Sequence, residues 1–306
     1  MTTDNLAVSE EENGICMFVY NNSQIDYAQI AHLCARYVKE NMKNNSTCLI
    51  TDNGTYSWIK TSIPKKVHDY CFDTVVIQDV EHKPNTRKHY DLPWTEFSAQ
   101  FSNSNKNDIF SLSPFDKTLL IDTDFIIQNN FYDYLFDSDI HIGLHKNARY
   151  LEHQPPYLNE QKLNEAGIHH WWSTVVYFDK SEESRTFFDI WSHVKDNWDY
   201  YHLLYQFPPG LFRTDFCVSI AAHMLNGLNE NNFVHNFKNV DLFNMDQKDD
   251  IVEIKGINDW ILLAHNRKEQ WKNMLTRIEN TNIHVMNKRA LTRHAKTIEE
   301  LFEGKI

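Results

Sequence analysis

The sequence predicts an α/β protein in which a mixed, mostly parallel central sheet carries helices on both faces. Short apolar runs rich in β-branched residues alternate along the chain with longer segments whose apolar residues recur at helical spacing. Several of these runs are closed by Asp or Asn, which are turn-forming residues. Strands that alternate with helices favour a parallel sheet. A length of 306 residues, 42% of them hydrophobic, is sufficient for one large folded domain.

The first strands are short and each is closed by polar residues. ICMFVY (15–20) is followed by Asn21 and Asn22, and then by a helix over 25–42. TCLITDNG (47–54) and DTVVIQDV (73–80) repeat the strand pattern. Because ligands gather at the carboxyl ends of strands in such sheets, the polar residues that close them are candidate site residues.

The rest of the chain continues this alternation. The polar segment 81–114 is predicted to hold a helix and an exposed loop. The later elements are, in order, a strand over 116–127, strands over 139–146 and 174–181, a helix that begins after Ser181, a helix over 214–226, and short strands within 227–264. Residues 1–271 are therefore predicted to form the domain. Residues 272–306 are predicted to form a charged helical extension that projects or supports a homodimer.

Charge and cysteine usage exclude several classes of function. The formal net charge of -12 disfavours binding to nucleic acid or to anionic membranes. No apolar stretch is long enough to cross a bilayer, and the N-terminus is acidic where a secretory signal would be basic. The five cysteines are odd in number and lack a Cys-x-x-Cys pair, so buried free thiols are expected rather than disulfides or a zinc site. These features predict a cytoplasmic protein without membrane insertion.

Two carboxylates follow a continuous apolar run in the segment FDKTLLIDTDFIIQNNF (115–131). In extended backbone, Asp122 and Asp124 point to the same side and Thr123 to the other. An unpaired carboxylate in a buried strand would cost several kcal/mol, and a bound cation removes that cost. Oxygen ligands of this kind suit magnesium or manganese, ions usually shared with a substrate phosphate. The alternative is that both residues only begin a turn.

Three motifs together resemble the GT-A class of glycosyltransferases. SPFDKTLLIDTDFIIQNNFYDYLF resembles the strand that enters the Asp-x-Asp metal motif of that class. WWSTVVYFDKS is similar to its Asn-Ser-Gly strand, with Trp172, Ser173 and Thr174 at the Asn-Ser-Gly positions. LLAHNRKEQW resembles its late histidine, lysine and tryptophan element. The resemblance covers residues 15 to 271 and implies a single Rossmann-like GT-A domain.

The resemblance implies a metal-dependent transfer of a sugar from a nucleotide-diphosphate donor, expected to be a UDP-sugar. A magnesium or manganese ion would be held by Asp122, Asp124 and His265, and would neutralise the departing diphosphate. The residues implied in donor binding are Asn21, Asn22, Asp52, Thr123, Arg267 and Lys268. A histidine packed in the core is the alternative for His265, and turn formation is the alternative for the Asn and Asp residues.

The acceptor side is implied by two further segments. Asp215, in the stretch FRTDF, is a candidate general base or a ligand of sugar hydroxyls, and helix capping is its alternative. The residues implied in acceptor or sugar binding are His169, His170, Trp172, Ser173, Arg213 and Asp215. Aromatic faces such as Trp172 stack on sugar rings, although core packing explains a tryptophan equally well.

Two other functions fit the sequence. Nucleotidyltransferases and phosphohydrolases also bind magnesium through paired aspartates on a strand, but no Gly-rich phosphate loop follows the first strand. A non-catalytic module that binds sugar nucleotides is the second alternative, suggested by the altered Asn-Ser-Gly position. The sequence leaves the acceptor open among a glycan, a protein, a small molecule and a modified nucleic-acid base.

Overall fold

A computed structural model describes residues 13–43, 46–79, 86–100, 102, 105–146, 148–151, 167–207, 212–227, 233–237, 242–266, 269 and 272–305. The strands are β1 (Asn13–Val19), β2 (Ser46–Thr51), β3 (Thr74–Ile77), β4 (Thr86–Asp91), β5 (Thr95–Gln100), β6 (Lys117–Ile121), β7 (Phe125–Ile126), β8 (Ile142–His145), β9 (Arg149–Tyr150), β10 (Trp172–Asp179), β11 (His235–Asn236), β12 (Phe243–Met245), β13 (Asp250–Gly256), β14 (Asp259–Ala264), β15 (Met274–Glu279) and β16 (Ile283–Val285). The helices are α1 (Tyr27–Asn41), α2 (Asn53–Ser62), α3 (Lys65–Cys71), α4 (Ile109–Leu112), α5 (Asp133–Phe136), α6 (Glu182–Asp196), α7 (Trp198–Leu204), α8 (Thr214–Asn226), α9 (Lys288–Arg293) and α10 (Ala295–Leu301).

A seven-stranded sheet in the order β11-β8-β10-β6-β1-β2-β3 forms the centre of the fold. The pairs among β6, β1, β2 and β3 are parallel, and β10 runs antiparallel to both of its neighbours. The mixed, mostly parallel sheet predicted from the sequence is thereby confirmed. Parallel strands bring their carboxyl ends to one edge, and there β6 ends immediately before Asp122.

The two faces of this sheet bury separate apolar clusters. Along β1, Ile15 and Met17 pack into the cluster that includes the buried side of α1. Cys16 and Phe18 point to the opposite face and pack with buried residues of α6 and α8. This alternation is the period of two that extended backbone requires. Helices therefore cover both faces, as the sequence predicts.

A second sheet, in the order β7-β16-β12-β9, lies beside the end of β6. β16 pairs antiparallel with β7 and parallel with β12. The remaining described strands form an antiparallel sheet, β13-β14-β15, and a hairpin, β4-β5. The strand β7, which directly follows the Asp-x-Asp motif, belongs to this second sheet. The sheet therefore brings strands from distant parts of the chain next to the motif.

Two segments differ from the prediction. Within 81–114, the structure forms the β4-β5 hairpin, a 3-10 turn over Lys106–Asp108 and the short α4, where a helix and an exposed loop are predicted. Within 272–306, β15 and β16 precede the two short helices, where the sequence predicts a helical extension. In both places the strands carry mixed polar and apolar residues, and pairing decides their conformation. β4 pairs with β5, β15 pairs with β14, and β16 pairs with the distant β7 and β12.

The cysteine prediction is confirmed, since all five cysteines are buried and have free thiols. Across the described part of the chain, none of the helices has both the length and the apolar character needed to cross a bilayer.

Candidate active site

The Asp-x-Asp motif lies where the central sheet passes into the second sheet. The backbone N–H of Asp122 donates to the carbonyl of Thr174 at 2.9 Å, which continues the pairing of β6 with β10 by one residue. The chain then turns, and the N–H of Phe125 donates to the carbonyl of Asp122 at 3.0 Å. This turn presents Asp122 and the buried Asp124 at the carboxyl end of β6.

His284 reaches the motif through strand pairing. β16 pairs with β7 so that His284 lies opposite Phe125, and the N–H of Val285 donates to the carbonyl of Asp124 at 2.8 Å. The ligand atoms of Asp122, Asp124 and His284 consequently lie within 4.8 Å of one another. Nε2 of His284 is 3.4 Å from Oδ1 of Asp124. We call these three side chains the cation site.

The orientation of the imidazole fits a metal ligand. Nδ1 of His284 lies 3.1 Å from Oδ1 of Asn244, on the neighbouring β12. An amide oxygen only accepts, so Nδ1 carries the proton and donates it. Nε2 then faces Oδ1 of Asp124, so a cation placed between the two atoms would contact both. Two carboxylates and one imidazole are a donor set that suits manganese or magnesium.

Each aspartate of the motif contacts one lysine. Nζ of Lys106 donates to Oδ1 of Asp122 at 2.7 Å and also to the carbonyl of Ser173. Nζ of Lys288, at the start of α9, donates to Oδ2 of Asp124. Both lysine side chains are largely buried, at 3% and 15% exposed. Each ammonium therefore neutralises one carboxylate that would otherwise be costly to bury.

The electrostatics keep this lysine and aspartate pair ionised. Burial would raise the pKa of Asp124, but Lys288 and His284 outweigh burial and hold that pKa well below its usual range. Burial would likewise lower the pKa of Lys288, and Asp124 reverses this, so that the pKa is raised. The carboxylate of Asp124 is thus available to a cation at neutral pH.

Asp215 is hydrogen-bonded to Ser173. It stands in the first turn of α8, and its Oδ1 accepts from the N–H of Ser173 at 3.0 Å and from the hydroxyl at 2.7 Å. Burial would raise the pKa of Asp215, but His170, Arg213 and the bonds from Ser173 lower it overall. A series of contacts therefore runs from Asp122 through Lys106 and Ser173 to an ionised Asp215.

One cavity joins most of these side chains. The predicted site residues that line it are Asp122, Thr123, Asp124, Trp172, Ser173, Arg213 and Asp215. Lining residues that the sequence did not single out for the site include Lys106, His284 and Lys288. His170 stacks on Trp172 with ring centroids 4.2 Å apart, and burial lowers its pKa to about 4. His169, next to it in the chain, is partly buried.

The predicted donor-binding residues near the first strands line a separate recess. Asn21, Asn22 and Asp52 surround it together with Trp58. Their side chains also stabilise local structure. Oδ1 of Asn21 accepts from the N–H of Ala28 at 2.8 Å, and Oδ1 of Asn22 accepts from two N–H groups of the following turn. Asp52 caps α2. The cavity that holds the cation site does not include these three residues.

His265, the histidine expected beside the two aspartates, lies outside the cluster of Asp122, Asp124 and His284 and outside the cavity that holds it. The ring of His265 packs edge-on against Trp94 with centroids 5.5 Å apart, and its backbone N–H donates to Asp249 at 2.9 Å. The physical reason is the sheet to which each histidine belongs. His265 follows β14 of the separate antiparallel sheet, whereas His284 lies on β16, which pairs with β7. Arg267 and Lys268 lie outside the described residues.

Among the solved structures that resemble this one are three glycosyltransferases. GlyE of Streptococcus pneumoniae is 10% identical over 76% of this chain and 45% of GlyE, with a TM-score of 0.40. The galactosyltransferase LgtC, in complex with donor and acceptor sugar analogues, is 14% identical over 76% of this chain and 75% of LgtC, with a TM-score of 0.45. Mouse xyloside xylosyltransferase 1 is 13% identical over 74% of this chain and 84% of that enzyme, with a TM-score of 0.44.

All three are glycosyltransferases. The chain spans less than half the length of GlyE. No protein-family model matches the chain, and no curated protein matches it in sequence. Identities of 10% to 14% describe a likeness of shape, and the roles of this chain's residues follow from their own contacts.

Proposed function

We propose that this protein is a metal-dependent glycosyltransferase that moves a sugar from a nucleotide-diphosphate donor to an acceptor. The observation that carries the proposal is the convergence of Asp122, Asp124 and His284 in a cavity that Lys106 and Lys288 also line. A metal ligand set beside two ammonium groups is suited to a diphosphate, which needs its negative charge neutralised as it departs. A UDP-sugar is the first donor to examine.

The cation would be held by the two carboxylates and by Nε2 of His284, and manganese or magnesium is the expected ion. When bound, it would supply Lewis-acid stabilisation of the leaving diphosphate. The lysines would add to the stabilisation of the diphosphate charge. Lys288 reaches the cavity from the start of α9, and an incoming phosphate offers its ammonium a second anionic partner beside Asp124.

The sugar would lie toward Ser173 and Asp215. Asp215 is ionised and its orientation is fixed by two hydrogen bonds from Ser173, so it is suited to accept hydrogen bonds from sugar hydroxyls or to take a proton from an acceptor. Trp172 adds an aromatic surface to the same cavity. Arg213 lies beside these residues, at the start of α8.

The decisive experiment is a donor panel with the full chain, in the presence of manganese or magnesium. Release of a nucleoside diphosphate, measured by chromatography, is expected from at least one nucleotide sugar and is expected to stop when the metal is chelated. Asp124→Asn should lower this release by at least about 100-fold, the size of a lost charge-stabilising contact. Asp189→Asn, on the exposed side of α6, is the matched control and should be fully active.

The products separate this function from its alternatives. Release of inorganic phosphate or pyrophosphate would assign a phosphohydrolase or a nucleotidyltransferase. Metal-dependent binding of nucleotide sugars without any turnover would assign a binding module. Equal activity of Asp124→Asn and the wild-type chain would refute the role given to the cation site.

A further inference from the structure

Lys288 is carried by α9, and one aspartate contacts both ends of that helix. Asp91 is the last residue of β4. Its Oδ1 accepts a hydrogen bond at 3.3 Å from Nδ2 of Asn287, the N-cap residue of α9. Nη1 of Arg293, the last residue of α9, donates to Oδ1 and Oδ2 of the same carboxylate at 2.7 and 2.8 Å. The β4-β5 hairpin thus holds the helix at its start and at its end.

The two residues of α9 that contact Asp91 also contact the segment that enters β13. Nη2 of Arg293 donates to Oδ1 of Asp250 at 2.6 Å. Nδ2 of the fully buried Asn287 donates to the carbonyl of Asp249 at 2.9 Å. The side chain of Asp91 is only 16% exposed, so its ion pair with Arg293 is screened less than a pair at the surface. Helix α9 is therefore fixed between the hairpin and β13.

Different contacts hold His284 and Lys288, although the two residues are close in the chain. His284 lies on β16, which pairs with β7 on one side and with β12 on the other. This pairing extends to Met286, whose N–H donates to the carbonyl of Met245 at 3.0 Å. Lys288 begins α9 two residues later, and its Nζ donates to Oδ2 of Asp124. The sheet therefore places the imidazole, and the helix places the ammonium.

We infer that Asp91 is a positioning residue: by holding both ends of α9, it keeps the ammonium of Lys288 against Asp124 in the cation site. The strand that carries Asp91 also lines the cavity, with Lys88 and His89 among its lining residues. The anchor of α9 thus belongs to the wall of the cavity. The placement of Lys288 follows from contacts within this chain. Its consequence for a diphosphate rests on the proposed function.

Chemical modification of lysines tests the placement of Lys288 without metal or substrate. Its side chain is 15% exposed and its ammonium is paired, so acetylation by an N-hydroxysuccinimide ester should be slow in the full wild-type chain. In Asp91→Ala, the acetylation rate of Lys288, measured by mass spectrometry, should rise at least about threefold, since a partly exposed ion pair and one hydrogen bond are lost. Lys106, which is 3% exposed in the same cavity, should stay protected.

Asp259→Ala is the matched control for Asp91→Ala. Asp259 accepts two hydrogen bonds from Arg277 on the separate sheet β13-β14-β15, and its loss should leave the acetylation of Lys288 unchanged. Asp91→Asn keeps the size of the side chain and removes its charge, so it serves where the alanine variant does not fold. Equal acetylation of Lys288 in the wild-type chain and the Asp91 variants would overturn the inference. A joint rise at Lys288 and Lys106 would also overturn it, because it would indicate a general loss of structure.

Ligand binding then tests the consequence for the cation site. A displaced ammonium competes less for Asp124, so Asp91→Ala should bind manganese at least about threefold more tightly. In the presence of manganese, the same variant should bind inorganic pyrophosphate more weakly, because an ammonium partner is lost. A general loss of structure would weaken the binding of both and would refute the inference.

A double variant shows whether Asp91 acts through Lys288. In a Lys288→Met background, Asp91→Ala should change neither the manganese affinity nor the pyrophosphate affinity, since two residues that act through one group are not additive. Additive effects would count against the inference. If the wild-type chain binds no manganese, the proposed function fails, while the acetylation of Lys288 still decides the role of Asp91.

Discussion

Nε2 of His284 lies 3.4 Å from Oδ1 of Asp124, although the two residues are far apart in the chain. The contact exists because β16 pairs with β7 directly after the Asp-x-Asp turn. Asn244 on β12 fixes the ring from the other side. The proposed metal site therefore depends on the second sheet as much as on the motif itself.

The identity of the histidine ligand can be tested by manganese titration. His284→Ala removes the imidazole of the cation site. Loss of a residue that only supports a metal ligand lowers metal affinity by about 10–100-fold, and the loss of the ligand itself should lower manganese affinity by more. His265→Ala changes a ring that packs against Trp94, and manganese affinity should stay at the wild-type value. Isothermal titration of both variants decides between the two histidines. A loss of affinity in His265→Ala alone would restore the ligand set expected from the sequence.

Asn244 should act on the metal through His284. Asn244→Ala removes the acceptor that fixes the proton on Nδ1, so manganese affinity should fall by about 10–100-fold while the ligands themselves are unchanged. The same titration measures it, with Asn197→Ala at the exposed end of α6 as the control. Unchanged affinity in Asn244→Ala would show that the orientation of the ring is set by other contacts.

Lys288 should have opposite effects on metal affinity and on turnover. Its ammonium competes with a cation for Asp124, so Lys288→Met should bind manganese more tightly. The same change removes a group proposed to contact the diphosphate, so kcat/KM for the donor should fall by at least about tenfold, the worth of about 1.4 kcal/mol. Titration and steady-state kinetics on one preparation measure both. A parallel fall of metal affinity and turnover would indicate a structural role instead.

The buried His145 should make stability depend on pH. It is fully buried and accepts or donates a hydrogen bond with the hydroxyl of Tyr132 at 2.7 Å, and burial lowers its pKa to about 3. The unfolded chain, with a histidine pKa of about 6.5, binds a proton first as pH falls. The free energy of unfolding should therefore decrease from about pH 6.5 downward, by at most about 1.4 kcal/mol per pH unit for this residue.

Urea unfolding at several pH values between 7 and 5 measures this dependence. His145→Gln retains a side chain that can bond to Tyr132 but cannot be protonated in this range, so its unfolding free energy should vary less with pH. Identical slopes for the variant and the wild-type chain would contradict the assignment.

The sequence predicts the elements whose signal is local. The central strands are continuous apolar runs, so the central sheet can be predicted from the sequence. Two carboxylates at the end of such a run require a compensating charge, so the Asp-x-Asp motif can be predicted as well. The structure adds that Lys106 and Lys288 supply part of that charge.

The histidine could not be chosen from local pattern. His265 follows WILLA, a strong strand signal, whereas His284 lies in the short run NIHVM. Which of them meets Asp124 depends on which strand pairs with β7, and pairing between distant segments leaves little trace in either one alone. Lys288, four residues after His284, could have pointed to that histidine, but Lys268 follows His265 at a similar distance and does not distinguish the two.

Lys106 was missed for a different reason. It stands in the polar segment FSNSNKND, whose composition predicts an exposed loop, yet its side chain is only 3% exposed. Composition predicts the average environment of a segment. It does not reveal that one ammonium in it is buried against Asp122 and the carbonyl of Ser173.

β16 is synthesised later than the Asp-x-Asp motif with which it forms the cation site. A ribosome that has translated the chain through β14 has made both aspartates of the motif but neither His284 nor Lys288. The nascent polypeptide therefore lacks the third ligand, and Asp124 lacks its ammonium partner, until this late strand emerges from the exit tunnel and docks beside β7. Assembly of the site therefore follows the synthesis of β16 and not the synthesis of the motif.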